Sequence, residues 1–192
     1  MEFKKYVFTG PMRSGKSTLI KAVSSKIQTY TMAEVPQYLI DMEKNCKKPE
    51  SEWIVPWNKP NFYKFQQNVF KKQAEWEKDM EKNCKFEIAL MDRSLIDGKA
   101  YLKLEKLRGL KGCDELDTEI CNAAKEKKYE QIFMCEFIKK PDSIDKPRED
   151  LNNAGIISDL IWSAYRGFGY MPIFIPDTSI EKRVEMDLEY IK

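Results

Sequence analysis

The stretch FTGPMRSGKST, residues 8–18, constrains this chain more than any other, because it contains the pattern Gly10-x4-Gly15-Lys16-Ser17. Glycines at this spacing let backbone N–H groups approach phosphate oxygens without a Cβ atom in the way. Lys16 is placed to reach the β- and γ-phosphates, and the Ser17 hydroxyl is placed to ligate Mg²⁺. The pattern therefore predicts a loop that binds ATP or GTP with Mg²⁺, and we expect the Lys16 side chain to be solvated. The residues predicted to contact the triphosphate are Gly10, Pro11, Met12, Arg13, Ser14, Gly15, Lys16, Ser17 and Thr18.

The segments on both sides of this loop have the patterns that a phosphate-binding loop requires. KKYVFT, residues 4–9, is short, aromatic and β-branched, which predicts a strand that ends at the loop. KSTLIKAVSSKI follows and carries Leu19, Ile20, Val23 and Ile27 at helical spacing. A helix that begins here points its positive N-terminal end at the triphosphate.

Strand-like segments alternate with helix-like segments along the whole chain. Strands are predicted near residues 4, 28, 87, 131 and 171, and the segments between them have helical periodicity. This alternation predicts an α/β fold of three layers, with a parallel five-stranded sheet and helices on both faces. The phosphate loop after the first strand and Asp92 at the end of the third lead us to predict the strand order 2-3-1-4-5. The 192 residues suit a single domain over residues 1–192, with a polar, proline-broken lid at about 138–150 and an acceptor-side insertion at about 47–62.

Composition excludes several classes of function. The chain has 33 basic and 31 acidic residues, and this balance provides no broad basic face for nucleic acid. It has no histidine, so a carboxylate is the expected proton acceptor. Five scattered cysteines without a Cys-x2-Cys pair argue against a zinc site and suit a reducing cytoplasm. The N-terminus has no signal-peptide pattern and the apolar runs are short, so we expect a cytoplasmic protein without a membrane span, of open oligomeric state.

The segment EIALMDRSLIDGKAY, residues 87–101, begins as an apolar strand and ends that strand at Asp92. A carboxylate at the carboxyl edge of a parallel sheet can hold Mg²⁺ or activate an acceptor hydroxyl. Arg93 follows directly, and arginine supplies a planar two-pronged donor that lysine lacks. Only six of the basic residues are arginine, and Arg13, Arg93 and Arg148 fall near the proposed site. Ordinary salt bridges are the alternative for Arg93 and Arg148. The predicted catalytic residues are Lys16, Asp92, Arg93 and Arg148, with Ser17 and Asp92 at the metal.

The phosphate loop, the strand ending in DRS and the proline-broken lid together resemble the nucleoside and nucleotide kinases, which are P-loop NTPases. More closely, the chain resembles the P-loop family typified by the ribosylnicotinamide kinase domain of NadR. That AAA-type ATPase or kinase family also includes the TRPL translocation defect GTPases. The similarity rests on residues 10–18, Glu34, FQQNVFKKQAEWE, DRSLIDGKAY and the ending YRGFGYMPIFIPDTSIEKRV. It implies a phosphotransferase with a lid in which Asp145, Arg148 and Glu149 match.

The acceptor side is where this sequence departs from that family. Gln37 stands where the family often has arginine, and the segment around Trp53 and Trp57 has no clear counterpart. The tryptophans would either stack on an acceptor or hold their loop on the core. The predicted acceptor-binding residues are Glu34, Gln37, Gln66, Arg93 and Asp97.

Three of these acceptor residues have a structural alternative. Glu34 would hold or deprotonate an acceptor hydroxyl, or it would cap the helix that follows it. Gln66 lies on a long predicted helix, where kinases of this type read a base edge, and an exposed glutamine is the alternative. Asp97 is better suited to position the turn after the strand than to touch a substrate.

Three functions remain open from the sequence. The first is a small-molecule kinase that transfers the γ-phosphate to a nucleoside or nucleotide. The second is a nucleotide-dependent switch that hydrolyses slowly and binds a protein or lipid partner. The strand end DRSL, in place of Asp-x-x-Gly, counts against this function, whereas the family resemblance keeps it open. The third is a polynucleotide 5′-end kinase, which requires a basic channel that a net charge of +2 does not supply.

Overall fold

The computed structural model describes residues 3–138 and 154–192. Its strands are β1 (Lys4–Thr9), β2 (Tyr30–Met32), β3 (Ile88–Asp92), β4 (Gln131–Cys135) and β5 (Ile173–Ile175). The helices are α1 (Lys16–Ser24), α2 (Val35–Lys44), α3 (Phe62–Asn83), α4 (Leu95–Leu107), α5 (Asp114–Lys125), α6 (Ala154–Gly167) and α7 (Ile180–Leu188). The predicted lid, at about 138–150, lies outside the described residues except for its first position. Asp145, Arg148 and Glu149 are therefore also outside them.

All five strands pair in parallel in the order β2-β3-β1-β4-β5, as the sequence predicts. β1 lies between β3 and β4, and Phe8 is in register with Asp92. The phosphate loop leaves the carboxyl end of β1, while the DRS segment leaves the carboxyl end of β3. Because parallel strands end at the same edge of the sheet, this register places the two motifs side by side.

The two faces of the sheet are covered by different helices. Tyr6 and Phe8 of β1 pack with apolar residues of α1 and α7, whereas Val7 packs with residues of α4 and α6 on the other face. This division follows from the alternation of side chains along a strand. Burial against both helical layers fixes β1, and with it the start of the phosphate loop.

The segment at residues 47–62, which the sequence analysis predicts to be an insertion, is held against α2 and α3. Val55 is fully buried and packs with Ile40 and Phe65. The Asn58 amide donates to the carbonyl oxygens of Ser51 and Trp53, at 3.0 and 2.9 Å. These contacts fix residues 47–62 in place beside α3. Within residues 3–138 and 154–192, no helix is both long and apolar enough to cross a membrane.

Candidate active site

The phosphate loop needs glycine at its two glycine positions. Gly10 has φ 133°, and a Cβ atom there would lie 2.4 Å from the Cys135 carbonyl oxygen. Gly15 has φ 72°, and a Cβ atom there would lie 2.9 Å from Nη1 of Arg183. L-residues with a side chain rarely adopt these φ values, so substitution would strain the backbone as well as collide with neighbours.

Lys16 is buried at the centre of the loop, and the expectation of a solvated side chain is wrong. Its ammonium donates to the carbonyl oxygens of Gly10 and Pro11, at 3.3 and 2.9 Å, and to Oγ of Ser14 at 3.1 Å. Burial, with the nearby positive charge of Arg93, lowers the pKa of Lys16. The curvature of the loop turns these oxygens inward, which the sequence pattern alone does not show.

Arg183 of α7 supports the loop from behind. Its Nη2 donates to the Ser14 carbonyl oxygen at 2.8 Å, and its side chain is 2% exposed. One helical turn further on, Asp187 is fully buried, and neither of its carboxylate oxygens has a hydrogen-bond partner among the described residues. Burial raises the pKa of Asp187 to about 7, against the opposing charge of Arg183. The loop is therefore supported by a buried arginine that has a buried carboxyl group one helical turn away.

Ser17 and Asp92 meet across the two adjacent strand ends. The Ser17 hydroxyl donates to Oδ2 of Asp92 at 2.6 Å. Asp92 is 3% exposed, and its Oδ1 is buried without a hydrogen-bond partner among the described residues. Burial raises the pKa of Asp92, although the charge of Lys16 opposes this.

The Ser17–Asp92 pair has the chemistry of a Mg²⁺ site that a nucleotide completes. The described residues contain no cluster of three or more acidic, cysteine or histidine ligands. Mg²⁺ bound to nucleotide phosphates commonly takes only one or two protein oxygens, with phosphate and water oxygens completing its octahedron. A hydroxyl oxygen beside a buried carboxylate oxygen without a partner fits that requirement.

Arg93 is held in an unusual backbone conformation at the end of β3. Its φ is 74°, and its backbone N–H donates to the Phe8 carbonyl oxygen at 3.0 Å. The guanidinium Nε donates to Glu34 at 2.9 Å, and Nη1 donates to the Gly10 carbonyl oxygen at 3.0 Å. Burial acts to lower the pKa of Arg93, but Tyr101, Glu34 and nearby aspartates together raise it well above its ordinary value. Arg93 thus links the phosphate loop to Glu34.

The Asp97 carboxylate accepts hydrogen bonds from four parts of the chain. Oδ1 accepts from the Thr9 hydroxyl and from Nη1 of Arg93, the latter at 3.3 Å. Oδ2 accepts from the Ser94 N–H at 3.0 Å and from the Tyr165 hydroxyl at 2.6 Å. With Ser94 it forms a capping box at the start of α4. These bonds favour the capping role for Asp97 over direct contact with an acceptor.

A cavity of about 320 Å³ opens between this cluster and the acceptor-side elements. Glu34, Gln37, Gln66, Arg93 and Asp97 all line it, together with Met12 of the phosphate loop. The side chain of Glu34 bonds Arg93 and makes no cap to α2, although the residue occupies the N-cap position. Gln66 is buried, and the alternative of an exposed glutamine is wrong. Gln37 is half-buried and donates to Asp41 at 2.6 Å.

Aromatic and charged side chains outside the set of predicted acceptor-binding residues complete the cavity. Trp57, Phe62, Phe65 and Tyr101 give it flat apolar walls. At its far end Glu105 bonds Lys59 at 2.8 Å and Arg108 at 2.5 Å. Arg108 and Arg183 are two of only six arginines in this lysine-rich chain. The rarity of arginine could therefore have identified both as candidate site residues. Trp53, by contrast, donates to the Lys48 carbonyl oxygen and packs beside Val55.

Comparison with solved structures identifies the fold as that of the P-loop kinases. NadR in complex with NR superposes with a TM-score of 0.74 at 14% identity, over 99% of this chain and 52% of NadR. Deoxyadenosine kinase from M. mycoides with bound dATP gives 0.66 at 16% identity, over 97% and 98% of the two chains. Thymidylate kinase from Candida albicans gives 0.65 at 13% identity, over 98% and 90%.

The family is shown at the level of sequence. Residues 5–183 match the AAA domain family AAA_28, and this chain belongs to that family. The predicted resemblance to P-loop kinases close to the nucleoside kinases is thereby confirmed. The chain spans about half the length of the NadR structures that it resembles. No curated protein matches it.

Proposed function

We propose that this protein is a Mg²⁺-dependent kinase that transfers the γ-phosphate of ATP or GTP to a hydroxyl group of a small, nucleoside-like acceptor. One observation carries the proposal. Arg93 joins the two halves of the site, because its guanidinium donates both to the Gly10 carbonyl oxygen of the phosphate loop and to Glu34 in the cavity wall. A bound acceptor in the cavity would therefore lie beside the terminal phosphate.

The proposed roles follow from position and charge. Lys16 and the loop N–H groups would bind the β- and γ-phosphates, and Ser17 and Asp92 would hold Mg²⁺, which neutralises phosphate charge when bound. Arg93 would orient the acceptor, and Glu34 and Asp92 are the carboxylates near enough to accept its proton. Arg148 is proposed as a further cation over the phosphates, on the lid.

The charges favour an uncharged hydroxyl over an acceptor that already carries phosphate. Arg93 is paired with Glu34 and Asp97, and Asp92 adds a third carboxylate nearby. The Arg93 guanidinium is already paired with two carboxylates, so it has little positive charge left to offer a second phosphate at this end of the cavity. We therefore propose a nucleoside in preference to a nucleotide.

The cavity walls favour a flat heterocycle at the other end of the acceptor. Phe62, Phe65 and Trp57 supply aromatic surfaces on which a base can stack. The Gln66 amide has no hydrogen-bond partner within residues 3–138 and 154–192, and an amide can pair with the donor and acceptor of a base edge. The five free thiols suit a reducing compartment, and we propose a cytoplasmic location.

The deciding experiment incubates the purified chain with Mg²⁺, γ-labelled ATP or GTP, and a panel of nucleosides, matched nucleoside monophosphates and an oligonucleotide with a free 5′-hydroxyl. The proposal expects label on a nucleoside 5′-phosphate and slower transfer to every monophosphate. Label only on a monophosphate would show that the charge argument is wrong. Release of free phosphate without any labelled product would favour the nucleotide switch, and transfer to an oligonucleotide would favour the 5′-end kinase.

A further inference from the structure

A second cavity, of about 460 Å³, lies between α4, α5 and α6. Its wall includes Lys127 and Tyr170, which precede β4 and β5 respectively. Strands β4 and β5 begin at the amino edge of the parallel sheet, whereas the phosphate loop leaves the carboxyl edge. The second cavity is therefore separate from the candidate active site, and no residue lines both cavities.

The ionisable lining of this cavity is dominated by lysine. Lys99, Lys103, Lys125 and Lys127 line it, and no acidic side chain does so within the described part of the chain. Lys99 is paired with Asp117 and Lys127 with Glu81. Lys103 and Lys125 are exposed and make no ion pair with any residue the structure describes. Four ammonium groups with two neighbouring carboxylates leave the cavity positive in a chain whose total charge is only +2.

The remaining lining is apolar and includes an aromatic face. Leu160 and Phe168 are half-buried at the rim, and Tyr170 forms part of the wall. Tyr170 is fixed in place, because its hydroxyl donates to the Lys127 carbonyl oxygen at 3.1 Å and its ring packs on Tyr129 at 5.7 Å between centroids. A fixed ring beside mobile, hydrated ammonium groups offers a stacking surface at one end and charge at the other.

We propose that this cavity binds an aromatic phosphate ester, with the phosphate among Lys103, Lys125 and their lysine neighbours and the aromatic ring against Phe168 and Tyr170. A volume of 460 Å³ is within the range of small-molecule pockets. A neutral apolar ligand leaves the positive charges without a partner, and a simple inorganic anion leaves the apolar wall exposed. Lysines beside an apolar aromatic wall therefore favour a ligand that has both a phosphate group and an aromatic ring.

Cys121 provides a local reporter for occupancy. It lines the cavity, it is half-buried, and its Sγ lies 3.0 Å from Nζ of Lys99. Cys46 and Cys84 are also half-buried but lie outside the cavity, so they serve as internal controls. The unmodified chain is treated with a limiting thiol-alkylating reagent, and the alkylation rate at each cysteine is measured by mass spectrometry of its peptide.

Phenyl phosphate is the probe, with phenol and inorganic phosphate as its neutral and anion-only counterparts. The proposal expects phenyl phosphate to slow alkylation of Cys121 by about tenfold at saturation, with little change at Cys46 and Cys84. Equal slowing of all three thiols, or none at Cys121, overturns it. Protection by phenol or by inorganic phosphate at the same concentration as phenyl phosphate also overturns it, because the site would then recognise only one of the two groups.

Charge reversal tests the lysines directly. Lys103→Glu with Lys125→Glu is compared with Lys82→Glu with Lys111→Glu, a pair of exposed lysines outside the cavity with the same total change in charge. The first pair is expected to raise the half-protecting concentration of phenyl phosphate about tenfold or more, and the second to change it less than about twofold. If the two pairs had equal effects, the attraction for phenyl phosphate would depend only on the net charge of the protein, and the proposed cavity site would be contradicted.

Discussion

The phosphate loop and the 320 Å³ cavity proposed to bind the acceptor lie side by side but are built in different ways. The loop is nine consecutive residues whose shape is set by backbone contacts with β1, the Cys135 carbonyl oxygen and Arg183. The cavity is assembled from side chains of α2, the insertion, α3 and α4, which are far apart in the chain. Where backbone forms a site, the sequence can change little at its glycines. Where side chains form it, specificity depends on substitutions scattered over many elements.

This difference predicts that substitutions at the phosphate loop abolish activity, whereas substitutions in the cavity change the preference among acceptors. The largest effect is expected at Lys16. Lys16→Ala removes the cation that binds the β- and γ-phosphates, so turnover should fall by about a thousandfold or more. The measurement is initial phosphotransfer rate with fold verified by circular dichroism. Lys21→Ala, an exposed lysine on the same helix, is the matched control. Equal turnover of Lys16→Ala and the control would refute the assignment of the loop.

The next largest effect is expected at Asp92. Asp92→Asn keeps the shape but removes the charge that holds the metal or accepts the proton, so transfer should fall by roughly a hundredfold or more. Triphosphate affinity, measured by calorimetry, should change much less because the loop is intact. Asp79→Asn, an exposed aspartate on α3, is the control. Parental transfer rates in Asp92→Asn would show that the Ser17–Asp92 contact is only structural.

Arg93 lies on the boundary between the two regions, and its variant sharpens the comparison. Arg93→Lys keeps the charge but cannot bond Glu34 and the Gly10 carbonyl oxygen together, so turnover should fall about tenfold, the equivalent of one charged hydrogen bond. With an uncharged nucleoside acceptor the loss should appear in kcat. A loss confined to acceptor KM would instead indicate an acceptor that carries its own phosphate.

A smaller effect is expected deep in the cavity. Gln66→Leu removes the amide that faces the acceptor without changing the volume much, so acceptor KM should rise about three- to tenfold while the KM of ATP stays unchanged. Gln67→Leu, the next residue on α3, lies outside the cavity lining and is the control. A rise in the KM of ATP, with no change for the acceptor, would mean that the cavity does not hold the acceptor.

The smallest functional effect, but a distinct pH dependence, is expected behind the loop at Asp187. Its pKa is raised from 3.8 to about 7 by burial, so the folded protein binds this proton more tightly than the unfolded chain. The stability it contributes is fully present below about pH 4, falls as the pH rises, and is lost above about pH 7. The corresponding change is at most about 4 kcal/mol.

Asp187→Asn should therefore flatten the fall in the free energy of unfolding between pH 4 and pH 8, measured by urea denaturation at each pH. Asp159→Asn, an exposed aspartate on α6, should keep the parental slope. Triphosphate affinity should change little in either variant. A slope in Asp187→Asn that matches the parent would show that this carboxyl group does not titrate in the range that its burial implies.

Much of the fold could be predicted because the sheet has local signals. Apolar runs followed by polar residues located β1 and β3, and alternation with helices indicated a parallel sheet. The order of its strands followed from the phosphate loop after the first strand and Asp92 at the end of the third. No bounds were predicted for helix α4, because it is buried on more than one side. Leu95, Ile96, Leu102 and Leu104 do not form one apolar stripe, and the helix packs against α3, α5 and α6.

Some parts of the candidate site could likewise be predicted from local sequence, and others could not. Residues 10–18 and the Asp92–Arg93 pair could be found from spacing, because their geometry depends on backbone close in sequence. The support from Arg183 depends on a contact with Ser14, 169 positions away, and the cavity walls bring together helices that are far apart in the chain, so no local pattern indicates either. The burial of Lys16 depends on the curvature of the loop, which the spacing of its residues does not show. The Arg93 side chain was identified, but its partners were not.

Asp97 has one more consequence, which concerns how the molecule opens. Its carboxylate joins β1, the start of α4 and Tyr165 of α6, so separating any one of these segments breaks a buried hydrogen bond that the others share. Each donor lost leaves a buried carboxylate less satisfied, which makes partial separation costly. Because the same carboxylate also accepts from Arg93, undocking of α6 would weaken the group that helps to hold Arg93 in place.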